Sequence, residues 1–367
     1  MLSRLIPNLE TRGVSNLVVS MTRVGVVGQD LQRRGVAVEA LGLARGRPDP
    51  RGVWRLRRLI SAVQPAVVQT WMYHADLLGA LVRMAGVRFT LAWNLRASHL
   101  EMSEYPLLSR LTRRGCVALS RVPALVLANS TAGRDYHEAL GYRPRRWLVL
   151  PNGIDTNRFR PDASIRDQAR RELGLSGDEL PLLVGFVARV DPMKGHGVFL
   201  QAFEDLVRRH PHVHALFLGE GALAETPVFA HWLESRPSLR SRVHFLGRRD
   251  DVERWMAALD VFCQASLGEG FPNAIAEAMA AGVPVVATDV GDTRVVTDDL
   301  ALLVPPRQDR PLAEALEQMV ASPAHERRAR GISGRTRIVQ HYSIEDVSAR
   351  YAALYEQLVS ESAGCTG

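Results

Sequence analysis

Two glutamates separated by seven residues, Glu269 and Glu277, flank the start of a predicted helix. Glycine, proline and asparagine before Ala274 disfavour a helix, whereas the alanine-rich stretch that follows favours one. The segment therefore predicts a glycine-rich turn that opens a helix, and the free N–H groups of a helix N-terminus attract anions. Glu269 lies in the turn and Glu277 about two helical turns further on. This spacing suits two carboxylates that bracket a ligand, and not an acid–base pair.

A buried strand is predicted immediately after this helix. Residues 283–289 form a short β-branched run that ends in polar residues, which is typical of parallel sheets. Ligands of such sheets bind at the carboxyl ends of the strands. The simpler alternative is a capped helix with two surface glutamates, and the strand that follows argues against it.

Two cations follow another predicted strand, residues 182–188. Arg189 comes directly after it, and Lys194 is the one lysine among 46 basic residues. A chain that otherwise uses arginine throughout and keeps a lysine at this place is expected to need a compact ammonium group. An ordinary exposed lysine is the alternative.

The run from Glu269 to Thr288 resembles the Glu-x7-Glu signature of retaining nucleotide-sugar glycosyltransferases of family 4. The resemblance is strong over residues 145–305 and looser before them. It implies the α/β GT-B fold, with two Rossmann-like doubly wound parallel-sheet domains that face a cleft. It also implies that Glu269 contacts the donor sugar, that Glu277 binds the ribose and that the intervening backbone binds the diphosphate, namely that of Gly270, Phe271, Pro272 and Asn273.

The same resemblance assigns roles to other strand ends. Arg189 and Lys194 would neutralise the departing diphosphate, and the loops with Gly219, Gly247 and Arg248 would lie beside the nucleotide. In the first half of the chain, polar residues after two predicted strands are candidates for the acceptor side. Many relatives carry a histidine in the cleft near the position that Arg96 occupies here. The catalytic role of that histidine is therefore not assigned to Arg96. These acceptor-side candidates are His74, Asn94 and Arg96.

The alternation of strands and helices predicts two parallel-sheet domains. We expect an acceptor-side domain over residues 1–155, a nucleotide-sugar domain over 156–340, and a C-terminal helix and tail over 341–367 that return to the first domain. The chain opens with a helix-like pattern, whereas a doubly wound domain opens with a strand and a glycine-rich loop. We therefore expect the family's first strand and loop to be missing, with Met1 inside its first helix.

Composition limits the partners. Residues 1–150 carry 22 arginines against 9 acidic residues, whereas the rest carries 24 basic and 30 acidic residues. Arg110, Arg113, Arg114 and Arg121 fall on one face of a predicted helix over 107–121. That face predicts either an anionic-membrane contact or, more simply, a solvated surface. No nucleic-acid-binding motif accompanies the basic half, so nucleic acid is not an expected partner.

The chain has three widely spaced cysteines and neither a signal peptide nor a membrane-spanning run. These features predict a cytoplasmic protein. If the protein binds lipid, it would be peripheral on the inner face of the cytoplasmic membrane. No metal-binding motif is present, and no cofactor is expected besides a UDP- or GDP-linked sugar as substrate. The sequence thus predicts a retaining, metal-independent glycosyltransferase that acts on a saccharide or lipid-linked acceptor in polysaccharide or glycolipid biosynthesis. The alternatives are a non-catalytic or truncated sugar-binding relative and a GT-B nucleotide-sugar epimerase.

Overall fold

The computed structural model describes residues 1–44, 49–98, 106–175 and 181–364. The chain divides into two compact units: residues 1–153 with 344–367 form unit 1, and residues 154–343 form unit 2. The polypeptide therefore passes from one unit to the other twice, once after Gly153 and once before Ile344.

Unit 1 alternates helices with short parallel strands. Its helices before residue 153 are α1 Leu2–Glu10, α2 Val26–Arg33, α3 Arg51–Val63, α4 Tyr73–Met84, α5 Leu107–Ala118 and α6 Thr131–Ala139. Its strands are β1 Leu17–Ser20, β2 Ala37–Ala40, β3 Val67–Trp71, β4 Thr90–Leu95, β5 Leu125–Ala128 and β6 Trp147–Val149.

These strands form two sheets instead of one. β1 pairs with β2, and a separate four-stranded sheet has the order β3-β4-β5-β6, with every pair parallel. In a doubly wound sheet a central strand precedes the first helix and joins the two halves. The described residues contain no strand ahead of α1. The division of the sheet lies between the β1–β2 pair and the four strands β3–β6.

Unit 2 contains one larger sheet and its flanking helices. The strands are β7 Leu182–Val187, β8 Val213–Leu218, β9 Val243–Phe245, β10 Val261–Gln264, β11 Val285–Thr288 and β12 Leu302–Val304. The helices are α7 Ala163–Glu172, α8 His196–Arg209, α9 Pro227–Glu234, α10 Val252–Ala258, α11 Asn273–Ala280, α12 Thr293–Thr297, α13 Asp309–Ala321 and α14 Ala324–Tyr342. Short 3-10 helices cover Pro192–Lys194, Pro237–Arg242 and Asp298–Leu300.

The six strands of unit 2 follow the order β12-β11-β10-β7-β8-β9 and are all parallel. Such a sheet is buried on both faces, which explains its nearly continuous apolar strands. One core contains α8 and α13, with Phe199, Phe203 and Leu316 fully buried. A second core contains α10, α11 and α14, with Trp255 and Ile275 fully buried.

The last helix, α15 Ile344–Gly364, belongs to unit 1. It packs along α1, and its Tyr351 and Leu358 join Leu125 and Leu127 of β5 in one core. The apolar face of this helix is therefore buried in unit 1.

The structure corrects the predicted arginine face of α5. The helix ends at Ala118, so Arg121 lies beyond it, and Arg113 is half-buried with its Nε atom enclosed. The exposed face combines Arg110 and Arg114 with two leucines, Leu107 at 67% and Leu111 at 49% exposure. The sequence pattern counted Arg113 and Arg121 as part of the exposed face, whereas in the structure two leucines share that face with Arg110 and Arg114.

Among the described helices, none is both long and apolar enough to cross a bilayer. Cys116 and Cys263 are buried free thiols, and Cys365 lies outside the described residues.

His196, at the start of α8, makes the stability of unit 2 sensitive to acid. Its ring is 4% exposed and packs against Phe186 and Phe229, and burial lowers its pKa to about 4. The unfolded chain takes up this proton near pH ~6.5, whereas the folded chain does not until much lower pH, so stability is lost as the pH falls. Between pH 7 and pH 5 the loss is about 2 kcal/mol.

We expect the variant His196→Phe to lose about 2 kcal/mol less stability than the wild type between pH 7 and pH 5, because phenylalanine binds no proton. Denaturant unfolding of both proteins at the two pH values measures the difference. Equal losses in the two proteins would show that His196 is not held neutral by burial.

Candidate active site

Backbone hydrogen bonds join four loops at the carboxyl ends of β7, β8, β9 and β10. Each bond links one loop to a neighbouring loop, so the four loops hold one another in place at a single edge of the sheet. The bonds run from Leu267 N to Met193 O, from Val190 N to Glu220 O and from Gly219 N to Gly247 O, each across 2.8 Å.

This edge contains the point where the strand order reverses. The chain adds β8 and β9 on one side of β7, then returns to add β10, β11 and β12 on the other side. The loops that leave β7 and β10 therefore diverge from neighbouring strands. Open α/β sheets bind their ligands in the crevice at such a point.

Lys194 and Glu269 meet across that crevice. Lys194 follows β7, Glu269 follows β10, and the lysine Nζ donates to Glu269 Oε1 across 2.6 Å. Gln264 Nε2 and Ser266 Oγ donate to the same oxygen at 2.8 Å each. Three donors thus fix Oε1, while Oε2 makes no hydrogen bond to a described residue and is free to accept one from a ligand hydroxyl.

Arg189 lies in the same loop as Lys194 and is largely exposed. Its Nη2 and Nε atoms donate to Asp191 Oδ2 at 2.8 and 3.1 Å. Burial opposes the ionisation of Asp191, but the bonds from Arg189 and from the Met193 N–H lower its pKa below the usual value. The aspartate holds the guanidinium beside the crevice, and an anionic ligand would compete with it.

The first turn of α11 presents N–H groups at this edge. Pro272 is the N-cap residue and supplies no side-chain cap, so the N-terminal donors of the helix are not satisfied by it. Phe271 and Pro272 are buried, whereas Asn273 is exposed. Glu277 lies one turn further along α11 and is half-buried, within electrostatic reach of Arg158. The glycine-rich turn and helix predicted from residues 269–277 are therefore present.

Two glycines let the loops approach Glu269. Gly195 has φ +70°, and a Cβ atom there would lie 1.9 Å from the carbonyl oxygen of Ala265. Gly291 has φ +55°, and a Cβ atom there would lie 2.1 Å from the carbonyl oxygen of Glu269. Sequence reasoning missed both glycines, and also Gln264 and Ser266. Their positions were a usable signal. Gly195 directly follows Lys194, Gln264 and Ser266 lie at the end of β10, and Gly291 lies shortly after the end of β11.

The remaining predicted donor-side residues lie at the same edge. Gly219, with φ +147°, donates its N–H to Gly247 O, and a Cβ atom at Gly219 would lie 2.1 Å from Ala188 O. Gly247 is buried, and Arg248 is exposed in the loop that leads to α10.

In unit 1 the structure gives the three acceptor-side candidates different surroundings. His74 is exposed in the first turn of α4. Asn94 is fully buried and donates to Tyr351 Oη across 3.1 Å, so its predicted role in acceptor binding would require this bond to open and stays a prediction. Asn94 is enclosed because Tyr351 of α15, 257 positions further along the chain, covers the end of β4.

Arg96 is half-buried and belongs to the hydrogen-bond network around Tyr351. Its Nη2 donates to Tyr351 Oη across 3.0 Å, its Nη1 donates to Asn152 Oδ1, and its guanidinium lies 4.4 Å from the centre of the Trp71 ring. In this structure Arg96 connects β3, α15 and the segment that leaves unit 1, and its predicted contact with a phosphate or acceptor would require these bonds to rearrange.

A crevice at a strand-order reversal, here lined by cations and a free carboxylate oxygen, is where open α/β sheets bind their ligands. Comparisons with protein families identify the class. The profile described as Glycosyltransferase Family 4 matches residues 1–158, and the profile described as Glycosyl transferases group 1 matches residues 181–322. The chain belongs to the glycosyltransferases, with a family 4 domain followed by a group 1 domain.

Individual relatives support the same protein class. The lipopolysaccharide core biosynthesis mannosyltransferase LpsB of Rhizobium meliloti is 28% identical over 96% of this chain and 97% of its own length. The D-inositol 3-phosphate glycosyltransferase of Rhodococcus erythropolis is 34% identical, but the match covers 54% of this chain and 46% of that protein. Anabaena Alr3699/HepE, solved in complex with UDP, superposes with a TM-score of 0.81 at 23% identity over 97% of this chain and 96% of that one. The predicted GT-B fold is confirmed.

We expect Gly195→Ala to destabilise unit 2 by at least about 2 kcal/mol, because alanine is strained at this φ and its Cβ atom would collide with the Ala265 carbonyl. The matched control is Gly197→Ala, two residues further on in α8, where a Cβ atom meets nothing within 4 Å. That change should be neutral or stabilise by up to about 1 kcal/mol. Thermal and denaturant unfolding compare the two variants, and equal stabilities would refute the close approach of the two loops.

Proposed function

We propose that the protein transfers a sugar, with retention of its anomeric configuration, from a UDP- or GDP-linked donor to a saccharide or lipid-linked acceptor. The reaction needs no metal ion and no further cofactor, because Arg189 and Lys194 supply the positive charge. The observation that carries this proposal is the contact of Lys194 with Glu269 at the reversal of strand order, next to the first turn of α11.

The names of the relatives favour polysaccharide or glycolipid assembly. LpsB acts in lipopolysaccharide core biosynthesis, a phosphatidyl-myo-inositol mannosyltransferase is 33% identical over 61% of this chain, and Alr3699/HepE was solved with UDP-glucose. Donors with a nucleoside diphosphate and acceptors with a glycan or lipid are thus the classes to test first.

The residues divide the work as follows. The N–H groups of residues 270–273 and the guanidinium of Arg189 bind the diphosphate, and Glu277 accepts hydrogen bonds from the ribose. Glu269 Oε2 accepts a hydrogen bond from the donor sugar and orients it. Lys194, which is already held by Glu269 Oε1, donates to the phosphate oxygen on which negative charge develops.

The bond changes balance without a protein nucleophile. The bond between the sugar's anomeric carbon and the phosphate oxygen breaks, and the acceptor oxygen bonds to the same carbon on the same face. The acceptor's proton passes to the departing diphosphate. Preorganised cations act most strongly at this step because they interact with charge that develops only as the bond breaks.

A non-catalytic sugar-binding relative is the second candidate, and the divided sheet of unit 1 favours it. An epimerase of the same fold is the third. Release of nucleoside diphosphate together with a glycosylated acceptor identifies a transferase. Conversion of the donor into an isomerised nucleotide-sugar identifies an epimerase, and binding of a donor that stays chemically unchanged identifies a binding protein.

We expect Lys194→Ala to lower kcat by at least about 100-fold, since it removes a donor aimed at developing negative charge. Glu277→Ala should mainly raise the KM for the donor. The assay measures nucleoside diphosphate release from a panel of UDP- and GDP-sugars with lipid-linked and oligosaccharide acceptors. Arg310→Ala, which breaks an exposed pair with Glu314, is the control and should keep wild-type rates. Wild-type turnover in Lys194→Ala would refute the assignment.

Two further readouts of the same assay test the retention of configuration and the independence from metal ions. Proton NMR of the product gives the anomeric configuration, which should match that of the donor. Added EDTA should leave kcat unchanged. An inverted product or loss of turnover with EDTA would refute retention or metal independence, respectively.

We also propose that unit 1 attaches to the anionic face of the cytoplasmic membrane through the exposed surface of α5. Leu107, Arg110, Leu111 and Arg114 follow one another at helical spacing, so apolar and basic side chains share that surface. Such a position would keep a cytoplasmic enzyme close to a lipid-linked acceptor.

The double variant Leu107→Ser/Leu111→Ser should therefore lose most of its flotation with vesicles that contain anionic lipid, because it removes the inserted apolar groups. The matched control is Leu81→Ser/Met84→Ser, which changes two exposed apolar residues of α4 at 40% and 60% exposure. Equal flotation of both double variants would exclude α5 as the membrane contact.

A further inference from the structure

A pocket lined with arginines lies on the opposite edge of the β3–β6 sheet from the strand ends considered so far. Arg121 precedes β5, and Arg143 and Arg145 precede β6, so all three lie at the amino ends of their strands. Glu138 and Trp147 complete much of the lining, and the pocket has a volume of about 830 Å³. This size is within the range of roughly 300–1,000 Å³ that small-molecule sites occupy.

Arg143 is held in place by the backbone. Its Nη1 donates to the carbonyl oxygens of Glu138 and Tyr142 at 2.8 and 2.7 Å, and its backbone N–H donates to Ser120 Oγ at 3.0 Å. The Ser120 bond also ties the loop of Arg121 to the loop of Arg143. The other nitrogens of the Arg143 guanidinium make no hydrogen bond to a described residue, so a rigidly placed donor group is left for a ligand.

The positive charge of the pocket exceeds its negative charge. Arg121 and Arg145 are exposed and form neither a hydrogen bond nor an ion pair with the described part of the chain, and one carboxylate, that of Glu138, lines the pocket with them. The adjacent Arg146 differs, because it pairs with Glu361 at 3.3 Å and with Gln357 at 3.1 Å on α15. Arg146, which faces α15, is thus paired with a carboxylate, whereas none of the three pocket arginines forms an ion pair with a described residue.

We propose that this pocket, which we call the arginine pocket, binds the phosphate group of a small phosphorylated ligand and is separate from the donor site. Guanidinium groups match phosphate oxygens with paired hydrogen bonds, and three of them exceed what one carboxylate can satisfy. The volume leaves room for an organic body attached to the phosphate, and the Trp147 ring offers that body an apolar contact. Ligand binding in this pocket does not depend on the transferase reaction.

The ligand's phosphate could come from a soluble metabolite or from a lipid headgroup, and two probes distinguish these sources. Inorganic phosphate represents the first, and a water-soluble short-chain phosphatidic acid below its micelle concentration represents the second. Isothermal titration uses the full chain with Arg189→Ala and Lys194→Ala, so that phosphate binding at the donor site is suppressed in every sample.

Arg121→Gln/Arg145→Gln in that background should bind at least one probe at least tenfold more weakly, because two charge-assisted contacts are lost. The control is Arg83→Gln/Arg88→Gln, which removes the same charge from exposed residues near the same edge of the sheet but outside the pocket. Its affinity should stay within twofold. A loss for phosphate indicates a soluble ligand, and a loss for the lipid alone indicates a headgroup. No binding of either probe, or equal losses in the two double variants, would overturn the proposal.

Discussion

The contact between Lys194 and Glu269 depends on the strand order of unit 2. These residues are 75 positions apart in the chain, and they meet because β7 and β10 are neighbours in the sheet. Their side chains are 22% and 13% exposed, so removing either partner would leave a partly buried charge without compensation. Partial burial of the pair costs desolvation free energy. The pair fixes Glu269 so that its free Oε2 atom is a positioned acceptor in the crevice.

The surrounding backbone is arranged to keep this pair at the crevice. Gly195 and Gly291 allow two carbonyl groups to approach where a side chain could not fit, and backbone hydrogen bonds join the loops after four strands. The protein's own contacts therefore hold the cations and the helix N–H groups in place. Groups fixed in this way stabilise developing charge without a rearrangement at that moment.

The sequence predicted the strand ends and the charged residues of unit 2 because both have local signals. Apolar runs predicted β7 and β11, and the segment from Glu269 to Glu277 predicted the turn and α11. It could not predict contacts that depend on distant parts of the chain. Tyr351 of α15 buries Asn94 and binds Arg96, and no local pattern connects these residues. The short strand β12 and the true exposed face of α5 were missed for the same reason, since packing defines them.

A crystal structure with an uncleaved nucleotide-sugar bound is the most direct measurement of whether this crevice is the donor site. We expect the diphosphate at the first turn of α11 within hydrogen-bonding distance of Lys194 Nζ, and a sugar hydroxyl on Glu269 Oε2. A donor bound away from the carboxyl ends of β7 and β10, with the lysine–glutamate pair untouched, would contradict it.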